Sequence, residues 1–286
     1  VSPATYTVNC SILFTDLPLL KRPAAAREAG FEAVEFWWPF AEAAPPDGDV
    51  DPFVRAIRDA GVQLSGLNFA AGDMPAGDRG IVSDPASVTA FRDSVDVAVE
   101  IAKALGTRAF NALYGNRIEG FSPAAQDDVA AENLAYAAQA AQRIGATVLI
   151  EPVSGAPRYP VRTAADAVRV VERVRSRSGY ENLRVLADLY HLYVNGDDVA
   201  AALHAHADRI VHVQIADAPG RGEPGTGEIA LDKYVGILLD RGYDRYIGLE
   251  YKPSRPDTFD WLPTADRGRG GVNIESLAAR AGTRNQ

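Results

Sequence analysis

Four oxygen-bearing side chains recur along the second half of the chain, each at the end of a short apolar run. They are Glu151 in Leu-Ile-Glu-Pro, Asp188 in Leu-Ala-Asp-Leu-Tyr-His, Gln214 in His-Val-Gln-Ile and Glu250 in Gly-Leu-Glu-Tyr-Lys-Pro. The intervals between them are 37, 26 and 36 residues. Each is about one strand plus one helix, so the four fall on consecutive strands at similar heights. Three carboxylates brought together in apolar surroundings repel one another, and a bound divalent cation is the simplest remedy. An all-oxygen set suits Mg²⁺, with Mn²⁺ as the alternative, whereas zinc usually recruits His or Cys. The plainer alternative is that each carboxylate meets its own Arg or Lys.

Side chains alternate in direction along a strand, which extends the set. Lys252, two residues past Glu250, is expected on the same face and nearer the mouth. His212 shares a face with Gln214 one layer deeper, as a core histidine or a support. His191 lies on the loop side of Asp188, within reach of a substrate. Arg221, in the Gly/Pro-rich loop that follows, is suited to bind a carboxylate in bidentate fashion or to close its loop through Glu223 or Glu228. Glu35 ends an early strand in Val-Glu-Phe-Trp, and its role stays open. Trp37 and Trp38 are candidates to roof a pocket, and Asn68 with the loop 71–80 to form a lid over it. His204 and His206 are expected to face solvent on a helix.

The elements that must position these groups alternate eight times between apolar strand and amphipathic helix. Strands are expected over 6–14, 33–37, 64–69, 109–114, 148–153, 183–190, 210–215 and 246–251. Helices are expected over 16–30, 51–61, 85–106, 122–145, 163–178, 199–207, 231–242 and 274–281. Ser122 followed by Pro123 reads as a helix start, and Gly61 as a helix stop. Eight such units predict an α/β fold with a parallel closed sheet, a single (β/α)8 TIM barrel domain over 1–286. No glycine fingerprint follows the first strand, which counts against a dinucleotide fold. The Arg-Gly-Arg-Gly-Gly segment 267–271 reads as a flexible basic surface loop.

The chain has 286 residues, of which 47% are hydrophobic and 23% charged, as in an ordinary globular protein. A net charge of −9 argues against a nucleic-acid footprint, which needs a basic stripe. The single cysteine, Cys10, excludes an intrachain disulfide and is expected to be small core filler. No signal peptide and no apolar span of about 20 residues is seen, so a cytoplasmic protein without membrane contact is expected. An acidic protein can still bind a small anion through a few local cations. A homo-oligomer is compatible with the sequence but not required by it.

At these residues the chain resembles the hydroxypyruvate isomerase family within the xylose-isomerase-like TIM barrels. The resemblance runs over nearly the whole length. It is most specific at the segments 70–80, 149–152, 188–191, 214–228 and 248–253. It implies one bound divalent metal at Glu151, Asp188, Gln214 and Glu250, with Glu151 and Glu250 as the catalytic pair. Related ketose 3-epimerases commonly carry His where this chain has Gln214, and have a substrate histidine matching His191. The glutamine points to the small-acid branch. The implied reaction interconverts hydroxypyruvate and 2-hydroxy-3-oxopropanoate through an enediolate, with His191, Arg221 and Lys252 as candidates to hold the substrate carboxylate. A 2-oxo-tetronate isomerase or a ketose 3-epimerase would use the same metal and glutamate pair, so the implied partner is a small hydroxy/oxo acid or ketose substrate.

Overall fold

The computed structural model describes residues 3–268 and 270–278. Eight parallel strands pair in sequence order and close with β8 against β1, as the alternation predicts. They are β1 (Thr5–Asn9), β2 (Ala33–Phe36), β3 (Gln63–Asn68), β4 (Ala109–Asn111), β5 (Thr147–Ile150), β6 (Leu183–Asp188), β7 (Ile210–Ile215) and β8 (Tyr246–Leu249). The helices are α1 (Arg22–Glu28), α2 (Asp47–Ala60), α3 (Val88–Leu105), α4 (Pro123–Gln142), α5 (Ala164–Ser178), α6 (Leu189–Val194), α7 (Val199–His206) and α8 (Leu231–Asp240). None of the described helices is long and apolar enough to cross a membrane.

Residues two apart on a strand share a face, and the interior shows it. On β1, Thr7 meets Ser65 of β3 through hydroxyls 2.7 Å apart. Asn9, one layer higher, reaches Glu35 and Glu250. On the other face of β1, Tyr6 packs its ring edge-on to Trp261 at 6.0 Å. Gly248 lies two residues below Glu250, where a Cβ would sit 2.6 Å from Glu35 Oε1 and 2.9 Å from Gln214 Cγ. The missing side chain makes the room that two polar residues occupy. Cys10 is buried and free, as expected of core filler.

Several boundaries differ from expectation. β1 stops at Asn9 because its side-chain oxygen caps Ser11 N–H and its carbonyl accepts from Leu13 N–H, each at 2.9 Å. The first helix shortens to α1, preceded by a 3₁₀ turn at Leu19–Lys21. α2 begins at Asp47, so Pro52 lies inside it rather than in its first turn. The sixth strand ends at Asp188 instead of 190, because the Asp188 carboxylate accepts from the N–H groups of Tyr190 and His191 and starts α6. Only a 3₁₀ turn, Ile274–Leu277, stands where a last helix over 274–281 was expected, and 279–281 lie outside the described residues. Arg267 is not a free basic residue: its guanidinium donates to the carbonyls of Leu262, Ala29 and Phe259.

The loop after β7 is built around one carboxylate. Asp217 accepts from the N–H groups of Ala218, Gly225, Gly227 and Ile229 at 2.8–3.0 Å. Gly227 is required, since a Cβ would fall 1.8 Å from the Ala218 carbonyl oxygen. Glu223, fully buried, accepts from Ser254 N–H at 2.8 Å and Thr258 Oγ1 at 2.7 Å, tying this loop to the chain beyond β8. Lys252 N–H closes the same seam on the Arg221 carbonyl at 2.7 Å. Arg221, at φ 55°, is thereby fixed over the barrel mouth.

Candidate active site

Glu151 and Glu250 follow β5 and β8 by one residue, Asp188 ends β6 and Gln214 is the last residue but one of β7. All four are buried at the carboxyl end of the barrel. Strand pairing sets Asp188 opposite Gln214, and Gln214 opposite Gly248. The register inferred from spacing alone therefore holds.

Glu151 and Asp188 are each anchored through one oxygen and turn the other towards His191, while both oxygens of Glu250 are engaged. Glu151 Oε2 accepts from Asn111 Nδ2 at 2.6 Å, while Oε1 lies 3.9 Å from His191 Nε2. Asp188 uses Oδ1 for the first turn of α6, while Oδ2 lies 3.5 Å from both His191 Nε2 and Arg221 Nη2. Glu250 Oε2 accepts from Asn9 Nδ2 at 2.9 Å, and Oε1 from Arg221 Nη2 at 2.6 Å. Gln214 is anchored by its nitrogen, which donates to Glu35 Oε1 at 2.7 Å. Its amide oxygen is buried without a hydrogen-bond partner. An orphaned buried carbonyl carries a desolvation cost, which a ligand at that oxygen would remove.

Glu35 is the support beneath this set. It accepts from Asn9 at 3.2 Å and from Gln214, and its Oε2 lies 2.6 Å from His212 Nε2. Sequence left its role open; it orients both a strand-1 amide and Gln214. His212 is the support one layer down.

The electrostatics follow from burial. Glu151 is pushed up to about 8 by burial and by the Asp188 charge, against the Asn111 hydrogen bond and Arg221. Burial also raises Glu250 well above the usual carboxylate range; Arg221 opposes this, and Glu151, Asp188 and Glu35 add to it. His191 is brought down to about 4 by burial, with Arg221 and Arg79 adding to the shift against Asp188. It is therefore neutral at pH 7. Ser154 N–H donates to His191 Nδ1 at 3.0 Å, which leaves the ring hydrogen on Nε2, aimed at the carboxylates.

Above the carboxylates opens a cavity of about 640 Å³. Trp37, Trp38, Phe40, Asn68, Met74, Arg79 and Leu113 form its walls; Glu151, His191, Arg221 and Glu250 also line it. Trp37, Trp38 and Asn68 thus stand where sequence placed them. The loop 71–80 lines the cavity as well, held by Asp73 N–H and Ala76 N–H on the Asp78 and Asp73 carboxylates at 2.8 and 3.0 Å. Two expected substrate ligands stand differently. Arg221 turns inward to Glu250 and Asp188, 5.4 Å over the Tyr190 ring, and Lys252 is exposed and outside the cavity wall. His204 is exposed, as expected.

Sequence reasoning passed over Asn9, Asn111, Ser154 and Arg79. Asn9 was hidden inside an overlong first strand. Asn111 and Asn68 end neighbouring strands that pair at those residues, a signal that spacing could have shown.

The xylose isomerase-like TIM barrel model matches residues 23–269. The chain is 51% identical to a Streptomyces coelicolor protein named as a hydroxypyruvate isomerase, over 92% of this chain and 96% of that one. It is 34% identical to the hydroxypyruvate isomerase of Escherichia coli, over 87% and 93%. It is 35% identical to a 2-oxo-tetronate isomerase of Cupriavidus necator, over 87% and 92%. Among solved structures, a Brucella melitensis protein described as an AP endonuclease, family 2, superposes with a TM-score of 0.81 at 32% identity. It covers 91% of this chain and 98% of its own.

Proposed function

The chain belongs to the xylose isomerase-like TIM barrel family and is an isomerase, and on that premise we propose that it interconverts hydroxypyruvate and 2-hydroxy-3-oxopropanoate. The observation that carries the proposal is the pair Glu151 and Glu250. They follow strands on different sides of the mouth, each has one oxygen anchored by an asparagine, and both line the same cavity, where Arg221 meets the second oxygen of Glu250. A substrate between them presents C2 and C3 to a carboxyl group on either side.

The donor set fits a divalent cation. The orphaned Gln214 oxygen and the second oxygens of Glu151 and Asp188, joined by Glu250 once its Oε1 leaves Arg221, are hard oxygen donors, suited to Mg²⁺ or Mn²⁺. Such an ion, when bound, polarises the substrate carbonyl and stabilises charge that develops on it. The protein's own groups supply the proton traffic. One glutamate removes the C3 proton of hydroxypyruvate, giving an enediolate, and the other delivers a proton to C2; O3 gives up its hydroxyl proton and O2 gains one, so C3 becomes the aldehyde and C2 carries the hydroxyl. Neutral His191 presents Nε2–H to a substrate oxygen. Arg221 holds Glu250 in place and balances its charge. Trp37 and Trp38 supply apolar wall to the cavity.

Glu35→Ala leaves the Gln214 amide unanchored. It is expected to weaken Mg²⁺ binding about tenfold to a hundredfold in calorimetry, as loss of a residue orienting a metal ligand does. The cavity volume also admits a four-carbon oxo acid, in keeping with the 2-oxo-tetronate isomerase relative. An endonuclease reading is disfavoured by the net charge of −9 and the absence of a basic groove in the cavity wall. The deciding experiment is a substrate panel. Protein freed of metal by chelation is given Mg²⁺ or Mn²⁺ and offered hydroxypyruvate against four- to six-carbon ketoses. Hydroxypyruvate is expected to have the highest kcat/KM; turnover of ketoses alone would overturn the proposal.

A further inference from the structure

A small-acid substrate needs a cation for its carboxylate, and the residues expected to supply it are otherwise engaged. Arg221 Nη2 lies between Glu250 and Asp188 at 2.6 and 3.5 Å. Lys252 is exposed and does not line the cavity. His191 Nε2 lies 3.5 Å from Asp188 and 3.9 Å from Glu151, so it already faces the glutamate site. The cavity wall contains one more cation, Arg79, on the loop between β3 and α3.

Arg79 is half-buried and positioned from several directions. Its Nη1 donates to the carbonyls of Met74 at 3.1 Å and Asp78 at 2.6 Å. Its own carbonyl accepts from Gly115 N–H at 3.1 Å. The next residue, Gly80, has φ 101° and sits so close to the exit of β4 that a Cβ would fall 1.9 Å from the Leu113 carbonyl oxygen. Only glycine permits that approach, and it clamps the loop onto the barrel. Among the described residues, Arg79 has no carboxylate within ion-pair distance, and its Nε and Nη2 make no hydrogen bond. Those two atoms form one edge of the guanidinium, the fork that matches a carboxylate in bidentate fashion. Lysine, a point charge, offers no such fork.

We propose that Arg79 receives the carboxylate of the substrate through its Nε/Nη2 edge and sets the preference for an oxo or hydroxy acid over an uncharged ketose of the same length. This rests on the small-acid reading of the site. Arg221, by contrast, is internal to the site: it holds Glu250.

Two probes beside hydroxypyruvate separate the possibilities. Dihydroxyacetone is hydroxypyruvate with the carboxylate replaced by a hydroxymethyl group. Glycerate keeps the carboxylate and lacks the carbonyl, so it binds without reacting. In Mg²⁺-supplemented protein, Arg79→Leu is expected to weaken glycerate binding about tenfold to a hundredfold in calorimetry, the usual consequence of losing a charged hydrogen-bond pair. It should raise KM for hydroxypyruvate by a similar factor and leave kcat/KM for dihydroxyacetone within about twofold of the parent. Arg79→Lys, which retains the charge, should fall between. Unchanged glycerate affinity in Arg79→Leu would overturn the proposal. So would equal losses on acid and neutral substrates in both variants, the result if Arg79 merely shapes its loop. If the parent protein turns over the neutral ketose and not hydroxypyruvate, the substrate assignment fails, and the glycerate titration still decides the role of Arg79.

Discussion

Glu250→Gln is expected to lower kcat for hydroxypyruvate isomerisation about a thousandfold, within the range that a general acid or base contributes. The substitution keeps the shape of the side chain and its hydrogen bond from Asn9, and removes the carboxylate that exchanges protons. It also removes the anion that Arg221 meets at 2.6 Å. Arg221 retains Asp188 at 3.5 Å, so the fold should survive, and circular dichroism and melting should stay close to the parent. Glu151→Gln should produce a loss of the same order, and the double variant little more than either alone, because the two groups act on one reaction coordinate. Near-normal kcat in either single variant would remove that residue from the pair.

The second large effect is on stability. Glu151 rises to about 8 in the folded protein, from the usual value near 4.5. The folded state therefore binds more protons than the unfolded state between those values, and stability falls as pH rises through that window. His191 works in the opposite sense. Its folded value of about 4, below the usual 6.5, means that the unfolded state takes the proton first, so stability rises with pH between those values. The two effects oppose each other below pH 6.5; above it Glu151 acts unopposed by His191, and Glu250, which burial also raises, adds in the same sense. Chelated protein is thus expected to lose roughly 5 °C of melting temperature between pH 6.5 and 8. Glu151→Gln should flatten that slope. Added Mg²⁺ should raise the melting temperature more at pH 8 than at 6.5, because a carboxylate must lose its proton to ligate. A melting temperature that does not fall between pH 6.5 and 8 in chelated protein would contradict the assigned environment of Glu151.

Much of this arrangement is written in periodicity. The eightfold alternation gives the barrel, and intervals of about one strand and helix place Glu151, Asp188, Gln214 and Glu250 at the carboxyl ends of four consecutive strands. Side-chain alternation correctly sets His212 beneath Gln214. The same rule misdirects Lys252, because β8 ends at Leu249 and alternation no longer holds three residues beyond. Arg221 illustrates a different limit. Its loop is legible as loop, but the direction of its guanidinium depends on Asp217 collecting four backbone N–H groups and on Glu223 binding the chain after β8. Those are long-range contacts with no local pattern. The plainer alternative to a cation, an arginine or lysine for the carboxylates, holds in part: Arg221 meets Glu250 and Asp188. Helix α6 was missed because its start is set by a side chain already assigned to the site, Asp188. Asn9 and Asn111 escaped because an asparagine at a strand end is commonplace until the glutamate beside it is seen.

The central claim is that two glutamates on opposite sides of the substrate pass protons through an enediolate. Isomerisation of hydroxypyruvate in D₂O, with the first product formed observed by NMR, tests it most directly. Protein supplied with Mg²⁺ should place a solvent deuteron at C2 of 2-hydroxy-3-oxopropanoate in every turnover, because the glutamate that delivers it exchanges with solvent between cycles. A product that retains the original C3 hydrogen at C2 would instead mark a direct hydride shift, and the roles given to Glu151 and Glu250 would be wrong.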